Sequence, residues 1–511
     1  MATPAIFPSS SETLRRPLLG RLGWNRVLFA AILLFGLLAM TARPATDPDL
    51  WWHLRTGQWI VETRHLPHFD PFSFTREGSP WVSHEWLSDL TFYALWKPAG
   101  PPALIIFSAI ITSLGFLLLY WRCPGEPYIA AAVVALGAWA SAPCWGTRPQ
   151  MFTFLLASLL LWLLERSENR PLLLFWIPPL FLLWLNLHAG FALGPALIFL
   201  YAAGVACEAI AGTTAWTTAR PLMLRLAAVI LFCIVLVPLN PRGIALFRYP
   251  LDTLRSPGMR IFIVEWFSPD FHQWLYTPLL LVLLLLLIAL ACSQSSLRGR
   301  VLVPLIVMCL AALDAVRHIP IFVLVAMPVI ACAVPYPLRI SRSPQSRPTS
   351  HRMRQSFNVA AVILLAVFTL VRWTTLSLNE NTRVQSQFPQ RAVTFLRDTS
   401  QPSHLFAYYD WGGYAIWSLY PRYRVFVDGR ADLYGDKFLE QSIQTATHLE
   451  KGWRAVLDDG NVNTVLMPPT AALSQGLALD SDWITAYHDK QAVIFVRRNA
   501  GATVLPPTLG Y

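Results

Sequence analysis

Charge is scarce in this sequence: Asp, Glu, Lys and Arg together make up 14% of the 511 residues, where an ordinary soluble domain carries about 25%. That shortage excludes a conventional water-soluble fold for most of the chain. Cross-linking cysteine is missing as well. The seven cysteines, Cys123, Cys144, Cys207, Cys233, Cys292, Cys309 and Cys332, lie in or beside apolar runs, and none has CxxC spacing. A disulfide framework or thiolate zinc site is excluded, and these residues read as small buried apolar side chains. No phosphate loop is present: Gly412-Gly413 lacks both the P-loop lysine and the Rossmann glycine spacing. The formal charge of +11 does not indicate nucleic-acid binding, because the basic residues sit in short loops between apolar runs.

What is abundant is apolar length. Hydrophobic residues make up 55% of the chain, and its 21 tryptophans suit a membrane interface. Apolar runs near 27–42, 102–121, 128–143, 151–165, 172–188, 191–212, 223–239, 277–292, 301–313, 319–335 and 357–373 predict about eleven spans. The first run is followed by Thr41, Ala42 and Arg43 and then by further runs, so it is expected to be a retained anchor rather than a cleaved signal. Arg15, Arg16, Arg21 and Arg26 precede it. Arg122, Arg166, Arg170, Arg220, Arg225, Arg298, Arg300 and the basic loop 336–356 fall on the same side as those four if spans alternate. The positive-inside rule makes that side cytoplasmic. The predicted fold is thus a multi-pass α-helical membrane bundle, N-terminus inside and C-terminus outside. Residues 1–26 form a cytoplasmic segment, 27–373 the transmembrane domain with a large first outer loop at 43–100, and 374–511 a small extracytoplasmic α/β domain.

The same parity sorts the unusual polar residues. Asp47, Asp49, His53, His84, Glu85, Arg148, Asn186, His188, Asn240, Arg242, Glu265, Arg317 and His318 all fall outside. Polar groups beside a bilayer are costly unless paired or functional, so their collection on one face predicts a site open to the exterior. In the first loop, Asp49 precedes a helix expected from Leu50, with Trp51, Trp52 and Trp59 suited to the interface, and a second amphipathic helix is expected from about His84 to Trp96. The pair Asp47 and Asp49 can cap a helix, serve as general base toward a hydroxyl, or hold a hard divalent cation such as Mg or Mn. His84-Glu85, between Trp81 and Trp86, reads as an interfacial anchor or a cavity wall.

These residues carry a family resemblance. The pattern DPDLWWHL…G.WI…LP..DPFS, followed by W..HEWL, resembles bacterial GT-C-like membrane proteins of unassigned substrate. The layout resembles the GT-C superfamily of membrane glycosyltransferases, which take sugars from polyprenyl-phosphate carriers. An inside N-terminus, an acid soon after the first span and a large first outer loop are the shared features. The resemblance implies a glycosyltransferase of the bacterial cytoplasmic membrane that uses a polyprenyl-phosphate-sugar donor. Asp49, or else Asp47, stands where the family has its loop-one acid, as base or metal ligand, and the acceptor is unspecified.

The other outer residues fit donor or acceptor binding, each beside a plainer reading. Arg148 could grip a lipid phosphate or snorkel to headgroups. Asn186 and His188 could line the cavity or pack at a helix end. Arg317, near His318 and Asp314, could stabilise a phosphate leaving group or pair with Asp314. Glu265 closes a loop of about 36 residues, a length often functional. Beyond residue 374, strand-like runs at 404–408, 423–427 and 463–467 and a hairpin at 483–488 and 491–497 alternate with helical patterns at 388–397, 411–419 and 436–458. There Asp428, Arg430 and Asp432 follow a buried-looking strand and could bind a ligand, or Arg430 could pair with Asp432. Two other classes stay open, a transporter or flippase and a non-catalytic envelope assembly protein. Against the first, no clear repeat is seen and the polar residues sit at outer ends rather than mid-membrane.

Overall fold

Each of the eleven apolar runs forms a helix in the computed structural model, which describes residues 24–124, 126–293, 296–333, 348–449 and 451–498. Arg15, Arg16, Arg21, Arg339, Arg342 and Arg347, used above to assign sides, lie outside the described residues. Among the described residues, six helices are long and apolar enough to cross a membrane: Trp86–Arg122, Ala189–Ile210, Trp216–Leu239, Trp274–Ala291, Val316–Ala333 and Gln355–Leu378. The reason is composition. Thr277–Ala291, for example, is leucine-rich and has no charge, and Leu284 and Leu287 on its surface are exposed. An apolar exterior of this kind is stable in lipid and not in water.

The chain forms two compact units. The first draws on the described parts of Met1–Arg43, Ile105–Asn240 and Glu265–Leu376, and the second on Pro44–Leu104, Pro241–Val264 and the described part of Ser377–Tyr511. In the first unit, Ile319–Ala333 is apolar all round and is buried without a break from Ile319 to Ala331, as expected of a helix enclosed by others. The tightest helix approach brings Gly204 of Leu193–Ile210 against the backbone of Gly299 and Arg300 in Gly299–Asp314; a Cβ on Gly204 would stand 2.3 Å from the Gly299 carbonyl oxygen. Gly190 and Gly194, whose spacing suggests close packing of the same kind, instead face side chains. Beside the glycine contact, Arg300 pairs with buried Glu208 and, at 3.1 Å, with Glu168. Arg298 reaches Glu168 at 2.9 Å.

The second unit is built on a five-stranded sheet in the order β2-β1-β3-β5-β4. Its strands are β1 (His404–Ala407), β2 (Arg424–Val425), β3 (Thr464–Met467), β4 (Trp483–His488) and β5 (Val493–Arg497). β1 runs parallel to β2 and β3, and β5 runs antiparallel to β3 and to β4. Phe406, Phe426, Leu439, Val465 and Phe495 fill the core beneath the sheet. The helix expected over 436–458 is two, Asp436–Thr447 and Trp453–Asp459, because Leu449 and Gly452 both take positive φ between them. The helix expected from His84 begins at Trp86 and continues to Arg122, with a break at Gly100 (φ 62°, ψ −150°) just before Pro101 and Pro102. Proline suits the first turn of the resumed helix.

Part of the first outer loop belongs to this sheet. Ser73 bridges Val425, the Phe74 N–H donates to the Val425 carbonyl at 3.2 Å, and the Thr75 hydroxyl donates to the Phe426 carbonyl at 2.6 Å. The loop so covers the edge of β2, which would otherwise present unpaired backbone.

A methyl-bearing residue at Gly204 has no room, whereas one at Gly36 meets nothing within 4 Å. Gly204→Val should cost about 1–3 kcal/mol, read as a lower melting temperature of the detergent-solubilised protein, while Gly36→Val leaves it unchanged. Equal melting of the two variants would contradict the packing described.

Candidate functional site

Asp49 occupies the N-cap position of the helix Leu50–Thr63, but its side chain makes no capping bond. Its carboxylate instead accepts from the Trp52 indole N–H at 3.2 Å, and Asp47 Oδ1 accepts the Asp49 backbone N–H at 3.0 Å. Asp49 also lies against Gly429: a Cβ built there would fall 2.0 Å from Asp49 Oδ1. Only glycine allows that approach. Of the three tryptophans assigned to the interface, Trp51 is buried and meets Trp96, Phe388 and Tyr414 edge to face, so this helix packs into protein on that side.

A polar network continues from this helix. Trp52 stacks on His53 with ring centroids 3.6 Å apart. His53 Nδ1 is 2.6 Å from Asp89 Oδ1, and Ser83 donates to Asp89 Oδ2 at 2.6 Å. Glu85 lies 3.7 Å from His53 Nε2 and 3.6 Å from His84 Nε2. His84 in turn is 3.3 Å from Arg242, which pairs with Asp432 at 2.9 Å. Asp49, His53, His84, Glu85 and Asp432 therefore do come together in one unit. Asp89 was missed, although it follows Glu85 by four residues and so shares its helical face. Burial alone would lower the His53 pKa, but the hydrogen bond and charge of Asp89, aided by Glu85 and Asp49, outweigh it and hold the imidazole above its ordinary value.

Asp428 and Arg430 turn inward. Arg430, 2% exposed, pairs with Asp428 at 2.7 Å and with Asp70 of the first loop at 2.6 Å; the Tyr434 hydroxyl donates to Asp428 at 2.5 Å. The guanidinium also stacks 4.6 Å from the Trp81 ring centroid. Both carboxylates hold the Arg430 pKa well above its ordinary value despite burial, which acts to lower it. Arg430 thus pairs not with Asp432 but across to the first loop, and the knot fixes Gly429 where Asp49 meets it.

The remaining predicted residues lie in the first unit. Arg148 reaches Glu265 at 3.0 Å, Arg317 reaches it at 3.4 Å, and Gln150 donates to it at 2.8 Å. Burial acts to raise the Glu265 pKa, but the two arginines and Gln150 prevail and lower it. Arg317 lies 4.2 Å over the Trp266 ring. Its ion-pair partner is thus Glu265 rather than Asp314, and two guanidiniums share one carboxylate. His188 is a packed residue: Thr153 Oγ1 is 2.7 Å from its Nδ1, which also accepts the Gly190 N–H at 3.0 Å. Asn240 donates to the Leu185 carbonyl and to Asn186 Oδ1, and His318 Nδ1 is 3.2 Å from the Ala311 carbonyl. Among the described residues no group of three or more His, Cys, Asp and Glu gathers as a metal cage.

The fold is similar to that of a solved archaeal oligosaccharyltransferase. The archaeal oligosaccharyltransferase AglB from Archaeoglobus fulgidus, in complex with an inhibitory peptide and a dolichol-phosphate, superposes with a TM-score of 0.55 at 12% identity over 86% of this chain and 69% of its own. The same enzyme tethered to an acceptor peptide containing the NVT sequon gives 0.54, also at 12% identity over 86% and 69%. A weaker likeness, TM-score 0.47 at 12% identity over 93% and 98%, extends to ArnT from Cupriavidus metallidurans bound to undecaprenyl phosphate. No family model and no curated protein matches the sequence.

Arg430→Met would leave two carboxylates buried without their cation, at about 3–5 kcal/mol, measurable by thermal unfolding in detergent; a loss under about 1 kcal/mol, the scale of an exposed pair, would contradict the buried knot. The raised His53 pKa gives a second expectation. A raised folded value means the imidazolium stabilises fully below the unfolded pKa of about 6.5, and that contribution fades as pH rises through the folded value. The stability gap between wild type and His53→Gln should be widest at acid pH and narrow on the alkaline side. A gap that widens with pH counts against an imidazolium held by Asp89.

Proposed function

We propose that the protein is a glycosyltransferase that moves a sugar from a polyprenyl-phosphate donor to an acceptor at the outer face of the bacterial cytoplasmic membrane. One observation carries the reading: within a GT-C fold, the first-loop acid Asp49 leaves helix capping aside and holds its carboxylate against Gly429. In this reading the acceptor hydroxyl attacks the anomeric carbon, Asp49 takes the hydroxyl proton, and the bond from that carbon to the phosphate oxygen breaks. Polyprenyl phosphate leaves with the electron pair. Asp47 orients Asp49 through its backbone N–H, and His53, His84 and Glu85 line the site. Within the first unit, Arg148 and Arg317 form with Glu265 a cluster of net positive charge suited to a phosphate, each guanidinium about one-quarter exposed. Asn186, His188 and His318 shape their surroundings. A divalent cation, if bound, would sit on Asp47 and Asp49 and offset charge on the donor phosphate.

Two arrangements support the sidedness. Arg122 pairs with Glu165, and Arg298 and Arg300 with Glu168, at the C-terminal end of the helix Gln150–Ser167; Arg148, Gln150, Glu265 and Arg317 gather at its N-terminal end. This separation along one helix supports the two predicted sides. The first loop, Pro241–Val264 and the C-terminal segment, all assigned outside, share one unit.

The test is sugar transfer from radiolabelled lipid-linked donors by purified protein. Asp49→Asn should slow transfer by about 10²–10⁴-fold, the contribution of a general base. Gly429→Ala, by displacing the Asp49 carboxylate, should reduce turnover while the melting temperature stays close to wild type. Full activity in Asp49→Asn and Asp47→Asn alike would remove the assignment, and uptake into vesicles without transfer would favour a transporter.

A further inference from the structure

The second unit contains a cavity of about 760 Å³, apart from the Asp49 network. That volume lies within the roughly 300–1,000 Å³ of small-molecule sites. Three indoles form one wall: Trp96 stands 5.7 Å from Trp51 and 5.9 Å from Trp417, each edge to face. The polar wall carries Glu380, Gln390 and Arg397. Glu380 is 2% exposed. Its Oε1 accepts the Ala45 N–H at 2.8 Å, while Oε2 is buried and accepts from none of the described residues. Gln390 Oε1 is likewise buried without a donor among the described residues.

Buried acceptors are nearly always satisfied, and leaving one unmade is costly. Both residues line the one cavity, and a side-chain rotation that turns either acceptor into it would be stabilised by a ligand that brings O–H or N–H donors. Charge narrows the class. Glu380 disfavours a phosphate and Arg397 an ammonium, and together they suit a neutral ligand. An acyl chain would match the indoles but leave both acceptors unpaired. A sugar meets both demands, with C–H faces for the aromatic rings and hydroxyls for the oxygens. We propose that this cavity binds a neutral saccharide, the glycan part of the acceptor. Its role as acceptor site rests on the glycosyl-transfer reading above; binding itself does not.

The experiment uses the full chain in lipid nanodiscs and measures binding of maltotriose, cellotriose, mannotriose and chitotriose by saturation-transfer NMR and tryptophan fluorescence. At least one trisaccharide should bind saturably, and Trp417→Ala and Glu380→Gln should each weaken it tenfold or more. Trp274→Ala, an exposed residue of the other unit, should leave it unchanged. Trp417→Phe keeps an aromatic face and should retain part of the affinity, which separates lost contact from lost folding. Silence across the four sugars, binding indifferent to Trp417 and Glu380, or competition by decanol at this wall would each overturn the proposal. Saccharide binding without any transfer would leave it standing and remove the catalytic reading instead.

Discussion

Everything in the first unit follows from the cost of placing charge in an apolar stretch. The helix Gln150–Ser167 makes the constraint visible. Over 18 residues, roughly 27 Å at 1.5 Å per residue, it carries charge only near its C-terminal end, and its length compares with a hydrocarbon core of about 30 Å. Arginine–carboxylate clusters stand at its two ends and nowhere between. At one end buried Glu208 and partly exposed Glu168 are answered by Arg300 and Arg298; at the other, Arg148 and Arg317 converge on Glu265. The two ends differ in balance. Glu208, Glu168, Arg298 and Arg300 neutralise one another, as a purely structural cluster would. The Glu265 end keeps a positive excess on half-open side chains, which an anion can use.

The second unit solves a different problem, that of fixing the long first-loop segment against the sheet. The segment from Pro44 to the helix at Trp86 buries Leu50, Trp51, Leu54, Phe72 and Trp81. It is fixed further at the edge of β2 and by the ion pair of Asp70 with Arg430. Arg430 is an expensive residue to bury, yet its two carboxylates and the rings of Trp81 and Phe72 satisfy it on every side. The rigid turn that results puts a glycine, with no side chain to clash, directly at Asp49.

The helices were legible because apolar length is a strong signal, and the alternation of strand and helix after residue 374 was legible for the same reason of period. Pairing partners were not. Arg430 lies two residues from Asp432, and proximity in sequence favours that pair; the partners actually used are Asp428, equally close on the other side, and Asp70, which is 360 residues away and had no local signature. Asp314 misled in the same way for Arg317. Asp89 was overlooked because it sits at the head of a long apolar helix, where one carboxylate looks incidental until His53 is seen to face it. The tryptophans of the first loop were assigned to lipid on composition, which cannot distinguish an indole at a membrane surface from one packed edge to face inside protein.

The same ambiguity bears on Asp49. An aspartate before a helix is most simply a cap, and in the sequence only the family resemblance argues otherwise. A capping carboxylate points back at the second or third amide of its own helix. This one accepts from an indole instead, while its own backbone already takes helical angles (φ −76°, ψ −23°). A chain that needed only to start a helix could have used the ordinary extended N-cap geometry. Here the carboxylate accepts from the indole of Trp52, in the first turn of its own helix, and is confronted by a glycine whose neighbours on both sides are locked in ion pairs. Such an arrangement is what the proposed base would need to meet a substrate at a fixed angle.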